Sequence, residues 1–333
     1  MNDEIKRLKE AAGAYGRWAL EARKSYIDLR LRQDPEIVQM YVALVKRINV
    51  ELGGMNLPSS PSRREQMLYE LGQSIRREVA RFGAEYEALL LNYMSEGVVI
   101  GTSYTKAVTE SLFAKAGVNL DTNRMFATVN RQALEASFAR TTKGLQLSDR
   151  IWQQTDKANR HINTIIREGI GLGYNVNKVA AALEQYVLSD AKTLVSDYPE
   201  LVNRLGNRVP GKLSYEALRL ARTEMTAAYG EGTIAAGQVA PSYKGVQWLL
   251  SLSHPSPDIC DVMAEHDEGL GKGVYGKGNE PLFPAHPNCI CSLVQVHEEP
   301  DDFVDRLADW VNNPESDAGL ETWYKDVYSD LVA

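Results

Sequence analysis

Cysteine is scarce in this chain, and so is everything that would mark a secreted or membrane-embedded protein. Only three of the 333 residues are cysteine. So small and odd a number excludes a disulfide framework. No run of about 18 apolar residues occurs, so the sequence offers no membrane span. The start, Met1-Asn2-Asp3-Glu4-Ile5-Lys6, opens on acids and lacks an apolar stretch. No secretory signal is expected there, and the chain is expected to stay in the compartment where it is made. Internal repeats and low-complexity tracts are absent as well.

Positive charge is the next shortage. The formal net charge is -7, and it is unevenly spread. From Glu298 onward, Glu298, Glu299, Asp301, Asp302, Asp305, Asp309, Glu315, Asp317, Glu321, Asp326 and Asp330 face only Arg306 and Lys325. That segment therefore carries -9 and the preceding residues +2. An acidic segment beside a nearly neutral body argues against a protein that coats nucleic acid. Two readings of the segment stand: a solvated helical face, or an interaction tail for a basic partner.

What is present is helical periodicity. Ile5, Leu8, Tyr15, Trp18, Ala22, Tyr26 and Leu29 recur at helical steps, and a second pattern follows Pro35 with Ile37, Tyr41, Leu44, Val45 and Ile48. The stretch from Gly53 to Ser62, rich in Gly, Pro and Ser, reads as the clearest linker. After it, Met67, Leu71, Ile75, Val79, Phe82, Tyr86, Leu90 and Tyr93 form one long stripe that must pack on neighbours. Further helices are expected around Tyr104–Ala116, Asn123–Arg140 and Ser148–Arg167, the last capped by Ser148 or Asp149. Asn175 or Asn177 can cap the next. Gly169, Gly171 and Gly173 lack the strand and the Lys-Ser/Thr that a phosphate loop requires, and mark a turn. A second breaker, Asn207-Arg208-Val209-Pro210-Gly211, precedes a helix that Ser214 can cap. Val246–Leu252 then reads as a buried strand and Ile290–Val296 as a closing one. The expected fold is mainly α: a helical body, a small α+β module with a Cys/His loop knot, and a short acidic helical tail. Four segments follow: an N-terminal helical arm (1–57), the body (62–212), the module (213–297) and the tail (298–333).

All three cysteines are late. Cys260 sits in His254-Pro255-Ser256-Pro257-Asp258-Ile259-Cys260-Asp261, and Cys289 and Cys291 in His286-Pro287-Asn288-Cys289-Ile290-Cys291. Thiolate and imidazole are the ligands that a closed tetrahedral zinc prefers. Cys260, Cys289, Cys291 and His286 would fill such a shell, with His254 as the competing histidine. The connecting loop holds Gly269, Gly271, Gly273, Gly276 and Gly278; with little core of its own, it is expected to need a cross-link at its base. A structural Zn2+, a metal-free knot of small buried residues and a single disulfide are the three ways to satisfy that need. A catalytic zinc would require an open coordination position and a placed base, and no nucleophile-elbow or protease signature accompanies the cysteines.

Arg222-Thr223-Glu224 lies on the helix that begins near Ser214. Neither Arg222 nor Glu224 meets an opposite charge three or four residues away. Each therefore faces water or pairs elsewhere in the fold, and we expect a tertiary polar pair. The stretches Arg63-Arg64 and Arg76-Arg77 are short and interleaved with acids, so a solvated face explains them as well as phosphate contact does.

The order Ala221-Arg222-Thr223-Glu224, a tryptophan-bearing strand at Trp248, the turn Asp258-Ile259-Cys260-Asp261, and the closing His286-Pro287-Asn288-Cys289-x-Cys291 together resemble the Mu F-like minor head proteins of tailed bacteriophages. The resemblance is strongest over 214–296. Many members carry a further Cys just before the Cys260 position, where this chain has Pro257 and Asp258, and an Arg where it has Ile290. That departure puts a four-thiolate site out of reach and makes any metal depend on His286 or His254. The resemblance implies a non-enzymatic, low-copy virion protein of the phage head interior or portal vertex, made in the host cytoplasm. Its implied partners are portal, major capsid or scaffolding protein, with weak contact to packaged DNA and none to membrane. The rival readings are a metal-dependent hydrolase or Cys-nucleophile enzyme built on the same cluster, and a DNA-binding protein that travels with the genome.

Overall fold

The computed structural model describes residues 3–56, 58–188, 191–209, 212–254 and 257–333. Leu57 of the linker, Pro210 and Gly211 of the second breaker, and Pro255 and Ser256 after His254 lie outside the described residues. Helices lead: α1 (Asp3–Ala12), α2 (Gly16–Gly53), α3 (Pro61–Lys115), α4 (Thr122–Ala139), α5 (Leu147–Gly171), α6 (Val176–Leu188), α7 (Ala191–Asp197), α8 (Pro199–Leu205) and α9 (Tyr215–Val239). Then come β1 (Tyr243–Leu249), α10 (Ile259–Glu265), β2 (Val274–Gly276), β3 (Ser292–His297), α11 (Pro300–Asn312), α12 (Ala318–Thr322), a π-helical turn at Trp323–Tyr328 and α13 (Ser329–Val332). Helix makes up 74% of the chain, more than twice the usual share, so the mainly α expectation holds. The one sheet among the described residues is antiparallel, in the order β2-β1-β3.

Several local expectations are corrected. Pro35 lies inside α2 rather than ending a helix. It is exposed, and the carbonyl it deprives of a partner belongs to Leu31, itself 67% exposed, where water can take the bond. The Tyr104–Ala116 segment is no separate helix but the end of the 55-residue α3. Helix α5 starts at Leu147, two or three residues before the start expected from a Ser148 or Asp149 cap: Gln146 is its cap, and its N–H donates to Asp149 Oδ2 at 3.0 Å. Asn175 does cap α6, its Oδ1 accepting from Lys178 N at 2.9 Å. Ser214 precedes α9, but its buried hydroxyl makes no hydrogen bond among the described residues. The sheet strands are shifted by one to three residues from the expected ones, and β2 and α10 were not foreseen.

The chain divides into two compact units. They do not follow the sequential segments 1–57, 62–212, 213–297 and 298–333, because helices as long as α2 and α3 each supply residues to both units. One unit comprises Leu31–Leu91 and Thr141–Ala221. Its core includes the expected stripe of α3, with Ile75, Phe82 and Tyr86 buried, and Ile37, Tyr41, Leu44 and Ile48 of α2, also buried. The Tyr41 and Phe82 rings meet edge to face at 4.7 Å, and the Tyr86 hydroxyl donates to the Ala217 carbonyl at 2.7 Å.

The other unit comprises Met1–Arg30, Asn92–Arg140 and Arg222–Ala333. In it α3 and α9 approach backbone to backbone. A Cβ on Gly101 would overlap the Tyr229 carbonyl, and one on Gly232 would lie 2.5 Å from the Val98 oxygen. The core gathers Leu8, Tyr15 and Ala22 with Val108, Phe113, Met125 and Phe126, and closes with Phe303, Leu307, Trp310 and Trp323. The acidic segment is thus no loose tail. Its apolar residues enter the core while Asp301, Asp302, Asp305 and Asp309 stay exposed, which is the solvated-face reading. Trp323 Nε1 donates to the Val239 carbonyl at 2.7 Å and ties the segment to the end of α9.

At the end of β3, His297 is boxed by the rings of Tyr15, Tyr104 and Tyr243, with centroids at 5.6, 5.5 and 6.0 Å. Burial pushes its imidazole down to about 3. The unfolded chain takes up this proton near pH 6.5; the folded one does not until about pH 3. Stability from this residue is therefore complete above about pH 6.5 and falls by up to about 1.4 kcal/mol per pH unit below it. We predict that His297→Gln flattens the acid limb of a stability-pH profile measured by denaturant unfolding. Phe303→Ala should cost about 3–5 kcal/mol in the same measurement, whereas Asp305→Ala should stay within about 0.5 kcal/mol.

Candidate metal centre

The site begins with a short helix that holds a cysteine inward. Asp258 caps α10: its Oδ1 accepts from Cys260 N at 2.7 Å, and its own N–H donates to Asp261 Oδ2 at 2.7 Å. This reciprocal pairing fixes the first turn and places Cys260 with no solvent exposure. The acid-x-x-acid spacing at 258–261 was the sequence signal for α10. The second half of the site is a turn. Asn288 takes φ +61°, a left-handed conformation that asparagine tolerates better than most residues, and Cys289 N donates to the His286 carbonyl at 3.3 Å.

Three side chains from elsewhere, one acceptor and two donors, clamp that turn. Asn288 N donates to the Thr223 hydroxyl on α9 at 3.2 Å. Arg30 Nη1 reaches the Cys289 carbonyl at 3.4 Å and Arg23 Nη2 the Ile290 carbonyl at 3.3 Å, both from α2. The two arginines stand seven residues apart on one helical face, but nothing in the local sequence links them to carbonyls more than 250 positions away.

Cys260, Cys289 and Cys291 are all buried free thiols, and their sulfurs lie within 4.8 Å of one another. Cys260 Sγ and Cys289 Sγ are 3.6 Å apart, far from bonded but close to the edge of about 3.8 Å that a tetrahedron with metal–sulfur bonds of about 2.3 Å requires. Three buried cysteines so placed can hold a metal ion. Their electrostatics point the same way. S–H donation from Cys289 holds the Cys291 thiol below the usual range, while burial and the neighbouring sulfurs push Cys260 and Cys289 above it. Three thiols cannot all ionise here without a cation to offset the charge.

The two histidines occupy different places. His286 joins Cys260 and Asp258 in one cluster of potential ligand atoms within 4.8 Å. Its Nδ1 donates to the Pro287 carbonyl at 2.9 Å. That Nε2 is buried, makes no hydrogen bond among the described residues, and stands 3.2 Å from Asp258 Oδ2. With a proton on Nε2 the two form an ion pair, and a cation between them would take that proton's place. His254 instead lies 3.1 Å from Asp261 Oδ2 and 3.4 Å from Asp258 Oδ1, and it clusters with those carboxylates rather than with sulfur.

The loop between the halves is less helpless than its glycines suggest. Strand β2 pairs with β1 at Val246↔Tyr275. Asp267 Oδ1 accepts from Gly269 N at 2.8 Å and Gly271 N at 3.1 Å, and the His266 and Tyr275 rings stack at 4.4 Å. The expectation that only a cross-link at the base could hold it is therefore corrected: carboxylate caps and a third strand share the task. Trp248 of β1 packs edge to face on Phe283 at 5.3 Å, and Phe283 sits against Gly230, where a Cβ would come within 2.5 Å of its ring.

Glu224 is fully buried and forms a tertiary ion pair with Arg140, just after α4, at 2.6 Å. Arg140 was not among the expected residues; its distance of 84 positions hid it. The Arg222 carbonyl accepts from the Thr226 hydroxyl, which also bonds the Tyr26 hydroxyl at 2.7 Å. Comparison with protein-family models, curated proteins and solved structures returned no match. We predict that Arg140→Ala, by depriving Glu224 of this partner, lowers unfolding free energy by about 2–4 kcal/mol, and that Arg140→Ala combined with Glu224→Leu recovers part of that loss.

Proposed function

We propose that this chain is a structural minor head protein of a tailed phage, acting by assembly on portal, coat or scaffolding protein, and that one structural zinc ties its late module. The observation that carries the reading is convergence. Thr223, Cys260 and the His286–Cys291 turn, which bear the resemblance to Mu F-like proteins, meet at one buried place although they span almost seventy positions.

Cys260, Cys289 and Cys291 would supply three corners of the zinc site and His286 Nε2 the fourth. A bound zinc supplies a closed four-way cross-link between α10 and the turn before β3. The residues around it serve to hold rather than to react. The thiols are at most 1% exposed; Cys260, near His286, has its thiol pushed up by burial, opposite to what a nucleophile needs, and Cys291, held down by the Cys289 S–H, is buried from any substrate. This favours a structural module over the hydrolase and Cys-nucleophile readings. The amphipathic helices of α11 and the long α2 and α3 suit a protein that presents surfaces to neighbours.

Two measurements test the proposal. Elemental analysis of purified protein should give about one tightly held zinc per chain, and Cys289→Ser should lose it together with a large part of the thermal stability. Zinc-free wild type with unchanged melting in Cys289→Ser would remove the metal. Co-expression with a phage portal protein should yield a complex by affinity capture and size exclusion. Failure to associate with portal, coat and scaffold alike would overturn the assembly role whatever the metal result.

A further inference from the structure

A second feature of the same unit is an apolar cleft of about 390 Å³ between α1, the first turns of α2 and the end of the sheet. Its walls include Ile5, Leu20, Ile27 and Leu249. Its volume falls in the range of sites that enclose a ligand or a side-chain cluster. Three cations, Arg7, Arg23 and Lys24, also line it, with Glu4 the one acid among the lining residues. Glu4 is already engaged, accepting from the Ser251 hydroxyl at 3.1 Å and from Leu252 N at 3.3 Å. Arg7 and Arg23 donate to backbone carbonyls, and Lys24 is exposed. None of the three has a carboxylate partner among the described residues.

The opposite chemistry is displayed on α11. Asp301, Asp302, Asp305 and Asp309 are exposed and take no ion-pair partner among the described residues. Beside them on one flank, at helical spacing, lie Val304 and Ala308, half-buried, and Val311, 48% exposed. A face that is acidic with an apolar edge fits a cleft that is apolar with a cationic border. The two cannot readily meet within one chain. Ser292, at the start of β3, lines the cleft, whereas α11 follows His297 at the other end of that strand, about 16 Å away at 3.3 Å per residue.

We propose that the cleft receives the acidic face of α11 from a second copy of this chain, in a head-to-tail contact. Because the two surfaces differ, the contact is heterologous, and copies joined this way close into a ring when the rotation between them permits. The inference does not depend on the phage reading or on zinc. The docking is electrostatically steered and strengthens as salt is lowered.

The test is sedimentation velocity on the full chain over a dilution series at about 0.05 M and about 0.5 M salt. The wild type should self-associate at low salt and less at high salt. Lys24→Glu or Asp305→Lys alone should weaken association by about tenfold or more, and a mixture of the two variants should associate to within about threefold of wild type, because reversed charges then face each other at one of the two contacts. Arg7→Glu paired with Asp309→Lys repeats the swap if either first variant fails to keep the wild-type circular dichroism. A wild type that stays monomeric throughout, association indifferent to the single reversals, or a mixture no better than its components would each overturn the proposal.

Discussion

Helices α3 and α9 can touch backbone to backbone only because glycine stands where they cross, and the unit that carries the cysteines is organised by that contact. With Gly101 and Gly232 at the crossing, α9 lies close enough to present Thr233 to the sheet, where its carbonyl accepts from Gln295 on β3. Gly230, two residues before Gly232 and so on nearly the opposite face of α9, receives Phe283, which in turn packs on Trp248. Thr223, near the start of that stretch, holds the turn before Cys289. One helix thus positions the middle strand's tryptophan, the closing strand and the thiol-bearing turn. Larger residues at the crossing would force these elements apart together, since packed interiors accommodate added volume poorly.

The thiol cluster adds a second, chemically different constraint. Packing can bring three sulfurs within van der Waals reach, but it cannot settle their charge. Buried thiols without a cation share hydrogen bonds, with two kept protonated and one serving as acceptor, as the opposed displacements of Cys291 and its neighbours indicate. The orphaned Nε2 of His286 shows the same incompleteness from the nitrogen side. A metal ion held by the three cysteines would offset their charge, at a place where the chain already has other ties, in the Asp258 cap, the Arg23 and Arg30 clamps and the β2 pairing. The cluster therefore reads as reinforcement of a shape that backbone hydrogen bonds and packing already define.

Charge segregation follows a similar logic in the last 36 residues. Their acidity is conspicuous in composition, yet the aromatic and aliphatic residues among the acids, Phe303, Leu307, Trp310, Leu320 and Trp323, belong to the same core as the N-terminal helix. The acids are what an amphipathic helix leaves outside once its apolar face is buried. Elsewhere in the unit stand the cations Arg7, Arg23 and Lys24, which have no carboxylate partner among the described residues.

From the amino-acid order alone, the helical character, the long α3 stripe, the two sheet strands to within two or three residues, and the late grouping of Cys260, Cys289, Cys291 and the histidines could all be read. These are local properties: periodicity sets which face is apolar, capping residues mark ends, and thiols near one another in sequence stay near in space. The partners were decided by tertiary structure. Arg140 for Glu224, Arg23 and Arg30 for the turn at Cys289, and Thr223 for Asn288 lie scores to hundreds of positions apart, and no periodicity spans such gaps. The choice of His286 over His254 as the neighbour of sulfur was likewise open until the cap on α10 turned His254 toward Asp261. Pro35 inside α2 and the choice between the two readings of the acidic segment were settled late for the same reason: whether a helix survives a proline, or an acidic stretch joins a core, depends on which of its faces the rest of the chain covers.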